Sequence, residues 1–329
     1  MIIVTGGAGF IGSNIVRALN LRGEKNILIV DNLGKNDKFK NLCGLKFVDY
    51  MHRDEFLKNI TDDEYIWDDD IDAVFHEGAC SDTMENDADY IMRVNLDFSK
   101  KLLEFCLDEE IKFIYASSAS VYGDGQNGFR ENEECEHALN AYALSKLIFD
   151  RYVRKVLTDY SDSEFFEPHI VGLRYFNVYG AQEQHKGRMA SIFYQMYNQI
   201  KNTGVIKLFK GSDGYDDGEQ RRDFISVDDV VKVNLWAFDD DEIQNGIYNC
   251  GTGQTHTYNE AARAVIEAMG TGKIQYIDFP PELQGKYQSF TQADTRNLIR
   301  AGYEGGFSDF YESVKNYCKF LDDGGYFRD

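Results

Sequence analysis

Apolar and polar positions along the first half of the chain fall into two alternating periods. Short runs at Ile2-Ile3-Val4, Ile27-Leu28-Ile29-Val30, Ala73-Val74-Phe75, Phe113-Ile114-Tyr115 and Ile170-Val171-Gly172-Leu173 are apolar at consecutive positions. That is the pattern of strands buried on both faces. Between them lie longer amphipathic stretches, a helical pattern from Phe10 to Leu21 and helical candidates around Tyr90–Leu107 and Ala141–Leu157. Strands alternating with helices predict right-handed crossovers and an α/β fold, a doubly wound parallel sheet of Rossmann type. After about Asn177 the pattern loosens into glycine-rich and charged loops, with shorter helical candidates at Ala190–Lys201, Val227–Phe238 and Asn259–Met269. The expectation is a Rossmann domain over 1–176 and a smaller C-terminal α/β substrate lobe over 177–329, with the chain free to cross back between them. Pro168, Pro280 and Pro281 fall at element edges and no Pro/Ser-rich linker intervenes, so the lobes should be packed together.

The segment Thr5-Gly6-Gly7-Ala8-Gly9-Phe10-Ile11-Gly12 follows the first strand and opens the first helix. In that context three glycines have distinct tasks. Gly6 permits the tight turn, Gly9 lets backbone N–H groups approach a pyrophosphate, and Gly12 lets helix and sheet close up. Asp31 closes the second strand nineteen residues after Gly12, where an acid hydrogen-bonds the adenosine ribose hydroxyls of NAD. Lys35, Lys38 and Arg53 on the following loops could neutralise a 2′-phosphate, so NADP is equally allowed.

Tyr142 and Lys146 stand four residues apart in a helical stretch, so both side chains project from one face. The phenol is the candidate acid/base. A neighbouring ammonium, with the positive ring of an oxidised nicotinamide, is expected to pull its pKa from near 10 toward neutrality. Upstream, Ser117-Ser118-Ala119-Ser120-Val121-Tyr122-Gly123 follows a strand whose C-terminal end should face the ligand, and Ser118 can donate to the reacting oxygen.

The glycine loop, the Ser-Ser-Ala-Ser-Val-Tyr-Gly strand end, the Tyr142/Lys146 pair and Arg174-Tyr175-Phe176-Asn177-Val178-Tyr179-Gly180 together resemble an extended short-chain dehydrogenase/reductase. The resemblance implies a Rossmann domain binding NAD or NADP and a smaller lobe binding a nucleotide sugar. Dehydratases of that family carry an acidic pair beside the catalytic hydroxyl, and here those positions are Ala119 and Ser120, which disfavours dehydration. Through His76-Glu77-Gly78-Ala79-Cys80-Ser81, His185-Lys186-Gly187-Arg188-Met189-Ala190-Ser191 and Tyr287-Gln288-Ser289-Phe290-Thr291-Gln292-Ala293-Asp294, the match narrows to a branch that inverts C6 of an ADP-activated heptose for lipopolysaccharide precursors.

What that branch implies is specific. Tyr142 and Lys186 become the two acid/base residues, with Lys146 orienting the cofactor and Ser118 beside the reacting oxygen. Gly6, Gly9, Phe10, Ile11, Gly12, Asp31, Asn32, Lys38, Arg53, Glu77, Gly78, Ala79, Cys80, Ser81, Asn95, Lys146, Val178 and Lys186 would hold NADP, with NAD possible. Ser118, Asn177, Arg188, Gln195, Phe209, Lys210, Gly211, Ser212, Arg222 and Tyr287 would hold the substrate. Removing a hydride from the carbinol carbon, turning the carbonyl over and returning the same hydride would invert the centre without net redox. Arg188 and Gln195 replace a small hydroxyl and an imidazole more usual in the branch, and Tyr215 to Gln220 looks like a short insertion.

Composition narrows the partners. The formal charge of -21 repels nucleic acid and anionic lipid, so an anionic sugar nucleotide requires a local cationic cluster, for which Lys207, Lys210, Arg221 and Arg222, with Arg188, are candidates. No apolar run reaches the roughly 20 residues that cross a bilayer. The N-terminus shows no export signal, and six scattered cysteines without a C-x-x-C pair read as reduced thiols in a cytoplasmic protein. The six histidines lack metal-ligand spacing. The family resemblance implies a homo-oligomer. A nucleotide-sugar 4-epimerase or reductase of the same fold, or a non-catalytic dinucleotide sensor, remains the alternative.

Overall fold

The computed structural model describes residues 1–62, 70–161, 167–280 and 288–328. The first apolar run forms β1 (Ile2–Thr5), and α1 (Phe10–Leu21) has the limits read from the sequence. β2 (Ile27–Asp31), β3 (Asp49–His52) and α2 (Arg53–Thr61) follow, then β4 (Ala73–His76) and α3 (Ala88–Ile91). A π-helical stretch, Met92–Asp97, joins α3 to α4 (Phe98–Asp108). β5 (Lys112–Ser118), α5 (Ala141–Tyr160) and β6 (Ile170–Tyr175) come next. α5 starts where the Asn140 side chain accepts from Ala143 N at 2.8 Å, which satisfies one of the open N–H groups of its first turn.

The rest of the chain comprises β7 (Asn177–Tyr179), α6 (Ile192–Thr203), β8 (Val205–Phe209), β9 (Arg221–Arg222), β10 (Phe224–Ser226), α7 (Val227–Asp239) and β11 (Gly246–Cys250). It ends with β12 (His256–Thr257), α8 (Tyr258–Met269), β13 (Lys273–Ile277), α9 (Arg296–Arg300) and α10 (Phe310–Asp322).

Seven parallel strands form the main sheet in the order β3-β2-β1-β4-β5-β6-β11. Helices cover both faces, which is why the predicted strands are apolar at every position. One face buries Ile15, Val16 and Leu19 of α1 with Val230 and Leu235 of α7. The other buries Phe56, Leu102, Leu103, Phe149 and Val153 from α2, α4 and α5. A separate core gathers Phe193, Met196, Ile206, Leu208, Val265, Phe310 and Val314 from α6, β8, α8 and α10. Strand order reverses at the adjacent pair β1 and β4, where Thr5 is level with His76, so a crevice opens beyond their C-terminal ends.

Within the main sheet and its helices, two strands and one helical irregularity stand out as missed by the sequence reading, which also named none of the short strands outside that sheet. β3 has an exposed first residue and no apolar run, and β11 returns from the second half of the chain to pair with β6. The expected continuous helix over Tyr90–Leu107 is broken by the π-helical turn. That wider turn holds Asn95, whose Oδ1 accepts from Cys80 N at 2.8 Å and whose Nδ2 donates to Cys80 O and Ser145 Oγ, each at 3.1 Å. Such turns are rare and occur frequently at functional sites.

Candidate active site

The crevice is a cavity of about 370 Å³ whose floor is the glycine loop. Gly6 has φ +67°, and a Cβ there would stand 2.7 Å from the Glu77 carbonyl carbon and from Gly78 N. A Cβ on Gly12 would collide with the Gly6 carbonyl. Gly9 caps α1 without a side chain, and the first turn carries no acid, so its N–H groups remain open to an anion. Asp31, nearly buried at the end of β2, accepts from Ala8 N at 2.9 Å and from Lys38 Nζ at 2.5 Å. It therefore braces the loop as well as facing the cavity.

The end of β5 and the first turns of α5 form the opposite wall. Lys146 is buried and donates to the Ala116 carbonyl at 2.7 Å. Burial lowers its pKa to about 8, against the pull of the Glu77 and Asp150 carboxylates. Burial raises the Tyr142 phenol, while a hydrogen bond with the Ser118 hydroxyl lowers it and Glu77 raises it further. The expected drop toward neutrality is thus absent from the protein alone, because desolvation of the phenolate outweighs the hydrogen bond. Glu77, at the end of β4, is pushed up to about 7 by burial, although it accepts from Tyr175 Oη at 2.7 Å and lies in the field of Lys146.

Behind this wall, Asp150 stands one turn beyond Lys146. It accepts from Tyr115 Oη at 3.0 Å, Ser117 Oγ at 2.8 Å and Arg174 Nε at 2.8 Å, all buried. Arg174 continues to Glu136 Oε1 at 2.6 Å and to Tyr122 Oη at 3.0 Å. This network fixes β5, β6 and α5 in one register, and sequence reading missed it.

Lys186 reaches the cavity from the loop after β7. Its ammonium lies 5.4 Å from the centre of the Phe10 ring, and burial lowers its pKa, with Glu183 opposing. The His185 ring beside it is lowered to about 4 by burial and by Lys38 and Lys186. The cavity is lined by Gly6, Gly9, Phe10, Ile11, Gly12, Asp31, Asn32, Lys38, Arg53, Glu77, Gly78, Ala79, Cys80, Ser81, Ser118, Tyr142, Lys146, Val178 and Lys186. Asn95 is not in that lining and acts on it by gripping the Cys80 backbone.

Of the expected sugar-nucleotide residues that the structure describes, all but Ser118 lie outside this lining. Asn177 Oδ1 accepts from Thr291 Oγ1 at 2.9 Å, and Gln195 Nε2 donates to the Gly187 carbonyl at 2.7 Å. Arg188 is exposed and pairs with Asp82 at 3.1 Å. Phe209 meets Phe279 edge-on, Gly211 N donates to Asp217 at 2.9 Å, and Ser212 Oγ accepts from Gln220 Nε2 at 3.1 Å. The proposed insertion folds back here, with Gly218 N donating to the Phe209 carbonyl at 3.1 Å. Arg222 is buried, 5.8 Å from the Tyr258 ring centre. Of its cationic companions, Lys210 pairs with Asp278, Arg221 with Thr255, and Lys207 is exposed on β8. Tyr287 falls outside the described residues. Among the described residues no cluster of His, Cys, Asp and Glu could hold a metal, and no helix is long and apolar enough to cross a membrane.

Open N–H groups at a glycine-crowded turn, an acid at the end of β2 and cations beside it fit a dinucleotide. With a serine, tyrosine and lysine on the facing wall, fold and site define a dinucleotide-dependent enzyme of the Rossmann class. The chain belongs to the NAD dependent epimerase/dehydratase family, which its residues 2–251 match. Its cofactor class is a nicotinamide dinucleotide. ADP-L-glycero-D-manno-heptose-6-epimerases from Thiobacillus denitrificans and Alkalilimnicola ehrlichii are 49% and 50% identical to it. The two alignments cover 97% and 98% of this chain, and 98% of each relative. A crystal structure of the Helicobacter pylori ADP-L-glycero-D-manno-heptose-6-epimerase superimposes with a TM-score of 0.82 at 30% identity, covering 98% of this chain and 96% of that one.

Proposed function

We propose that the chain inverts C6 of the heptose in ADP-D-glycero-D-manno-heptose, giving the L-glycero form used for lipopolysaccharide precursors. The observation that carries the reading is the presence in one cavity of two proton-handling side chains from unrelated elements, Tyr142 of α5 and Lys186 of the loop after β7. An enzyme that only oxidises or reduces one face needs one such group. Inversion at a freely rotating exocyclic carbon presents the oxygen in two orientations and uses two.

The dinucleotide, when bound, supplies the hydride acceptor and donor. Ser118 holds the C6 oxygen through its hydroxyl, and Tyr142 takes or returns the hydroxyl proton on one side. Lys186 serves the other side; burial lowers its pKa from the ordinary lysine value, which favours the proton-accepting neutral amine relative to an exposed lysine. Lys146 stays beneath Tyr142, held by the Ala116 carbonyl, and its positive charge favours the phenolate when the proton leaves. C6 is a secondary alcohol, so the transient species is a ketone, and rotation about C5–C6 exposes its second face while the nucleotide stays anchored.

Lys38 and Arg53 line the end of the cavity beside Asp31 and favour NADP, since each can offset a 2′-phosphate. Buried Arg222 and the Phe209–Ser212 turn are assigned to the nucleotide sugar, together with Asn177, Arg188 and Gln195. The reading also includes a homo-oligomer in the cytoplasm, which light scattering after size exclusion tests in part.

The central test incubates the purified protein, without added cofactor, with ADP-D-glycero-D-manno-heptose and follows C6 by proton NMR. Conversion to the L-glycero epimer is expected. With dinucleotide occupancy verified, absence of conversion would shift the reading to a nucleotide-sugar 4-epimerase or reductase.

A further inference from the structure

Two buried asparagines join the glycine loop to the segment that carries Lys186. Asn41, in the 3-10 turn Asp37–Leu42, donates through Nδ2 to the Ala8 carbonyl and to the Gln182 carbonyl, each at 3.0 Å. The same nitrogen lies 3.2 Å from His185 Nδ1. The two amide hydrogens serve the two carbonyls, so the imidazole is a close neighbour of this junction rather than a third acceptor. Gln182 returns the contact, its Nε2 donating to the Asn41 carbonyl at 3.2 Å. Asn14, on α1, donates to the Phe10 carbonyl at 2.8 Å and to the Ala181 carbonyl at 2.9 Å.

The gripped backbone is unusual. Gln182 has φ +74°, a left-handed conformation that a side chain disfavours and that the surrounding bonds must hold. On its far side, buried Glu183 accepts from Ser191 Oγ and Tyr317 Oη, each at 2.7 Å. None of Asn41, Ala181, Gln182 and Glu183 lines the cavity. Every bond from the Asn41 side chain ends either on the loop that cradles phosphate or on the segment leading to Lys186.

We propose that Asn41, assisted by Asn14, is a positioning residue that couples the dinucleotide-binding loop to Lys186, so that ordering of the loop by its ligand also sets the second acid/base group. The inference rests on the assignment of Lys186 made above. It extends that assignment to residues that touch neither substrate nor cofactor.

The test uses Asn41→Leu, which keeps the number and branching of the side-chain heavy atoms and removes the three contacts. Backbone amide exchange over residues 181–184 is followed by mass spectrometry with and without NADP. In the natural chain, NADP is expected to slow exchange there several-fold, although these residues do not line the cavity. In Asn41→Leu the slowing should disappear while the glycine loop stays protected. Displacement of one reacting group by ~1 Å lowers kcat about 10²-fold, and KM for the ADP-heptose should change far less. Retained protection at 181–184 with an unchanged kcat overturns the proposal. If Asn41→Leu does not fold, Asn14→Ala, which leaves the Asn41 contacts in place, should show the same loss in weaker form, and unchanged exchange in that variant overturns it equally. Exchange is read without turnover. A natural chain that shows the coupling and fails to epimerise the ADP-heptose would therefore count against the proposed function alone.

Discussion

Arg174 Nε donates to Asp150 Oδ2 across 2.8 Å, and neither side chain has any exposed surface. The pair lies directly behind the catalytic wall, because Asp150 also holds Ser117 and stands one turn from Lys146. Replacing Arg174 by methionine would leave the Asp150 and Glu136 carboxylates without their shared partner in the interior. Breaking a buried pair by removing one member costs about 3–5 kcal/mol. Urea unfolding of Arg174→Met at neutral pH should show a loss of that order, and a near-natural midpoint would contradict the role given to the network.

Stability should also carry the signature of Glu77. Its pKa is raised from 4.5 to about 7 in the folded protein, so its contribution is fully present below pH 4.5 and is lost as pH rises through 7. Glu77→Gln removes that loss. Its stability relative to the natural chain should therefore improve as pH rises from 4.5 to 7, with a slope on the order of 1 kcal/mol per pH step of one at most. Thermal melts across that window check the sign. Lys146 acts in the opposite window. Its lowered pKa gives a contribution present above 10.5 and lost as pH falls through about 8.

Tyr142→Phe keeps the ring and deletes the proton carrier. Loss of a positioned acid/base group should lower kcat by about 10²–10⁴-fold. Dinucleotide affinity and melting temperature should stay close to natural values, which titration calorimetry and a melt establish separately from the NMR rate.

Gly6→Ala tests the cradle. Its Cβ would meet the Glu77 and Gly78 backbone at 2.7 Å in a left-handed conformation, so the loop must move away from β4. Binding of NADP to stripped protein should weaken by about tenfold or more, as one displaced charge-assisted hydrogen bond alone is worth roughly 1.5–3 kcal/mol. Lys38→Ala, by contrast, should weaken NADP binding more than NAD binding, measured by the same titration.

Much of this architecture was legible because it follows from local pattern. β1, β2, β4, β5 and β6 are continuous apolar runs, and α1 announced itself by its period and by the glycines before it. β3 and β11 were not legible. Asp49-Tyr50-Met51-His52 has no apolar run, and Gly246-Ile247-Tyr248-Asn249-Cys250 becomes a sheet strand only because β6 offers it an edge. In the site, Tyr142, Lys146 and the loop glycines stood out by spacing, whereas Lys186 depended on resemblance alone. Asp150, Asn14 and Asn41 gave no signal, since the partners that give them a role, such as Arg174 for Asp150 and Ala181 for Asn14, lie 24 and 167 residues away along the chain. The raised Tyr142 could not be foreseen either, because desolvation depends on what surrounds a phenol and leaves no trace in its neighbours along the chain.

The position of β11 bears on how the polypeptide is born. Synthesis runs from the N-terminus, and domains generally fold as units while the ribosome is still extending the chain. Here the sheet that carries the glycine loop receives its last strand only when Cys250 has emerged. Until then β6 has an open edge, the kind of surface that recruits foreign strands. The nascent chain must therefore carry an unfinished sheet through some seventy-five residues of translation, from Tyr175 to Cys250, and early folding in the cell should depend on whatever shields that edge.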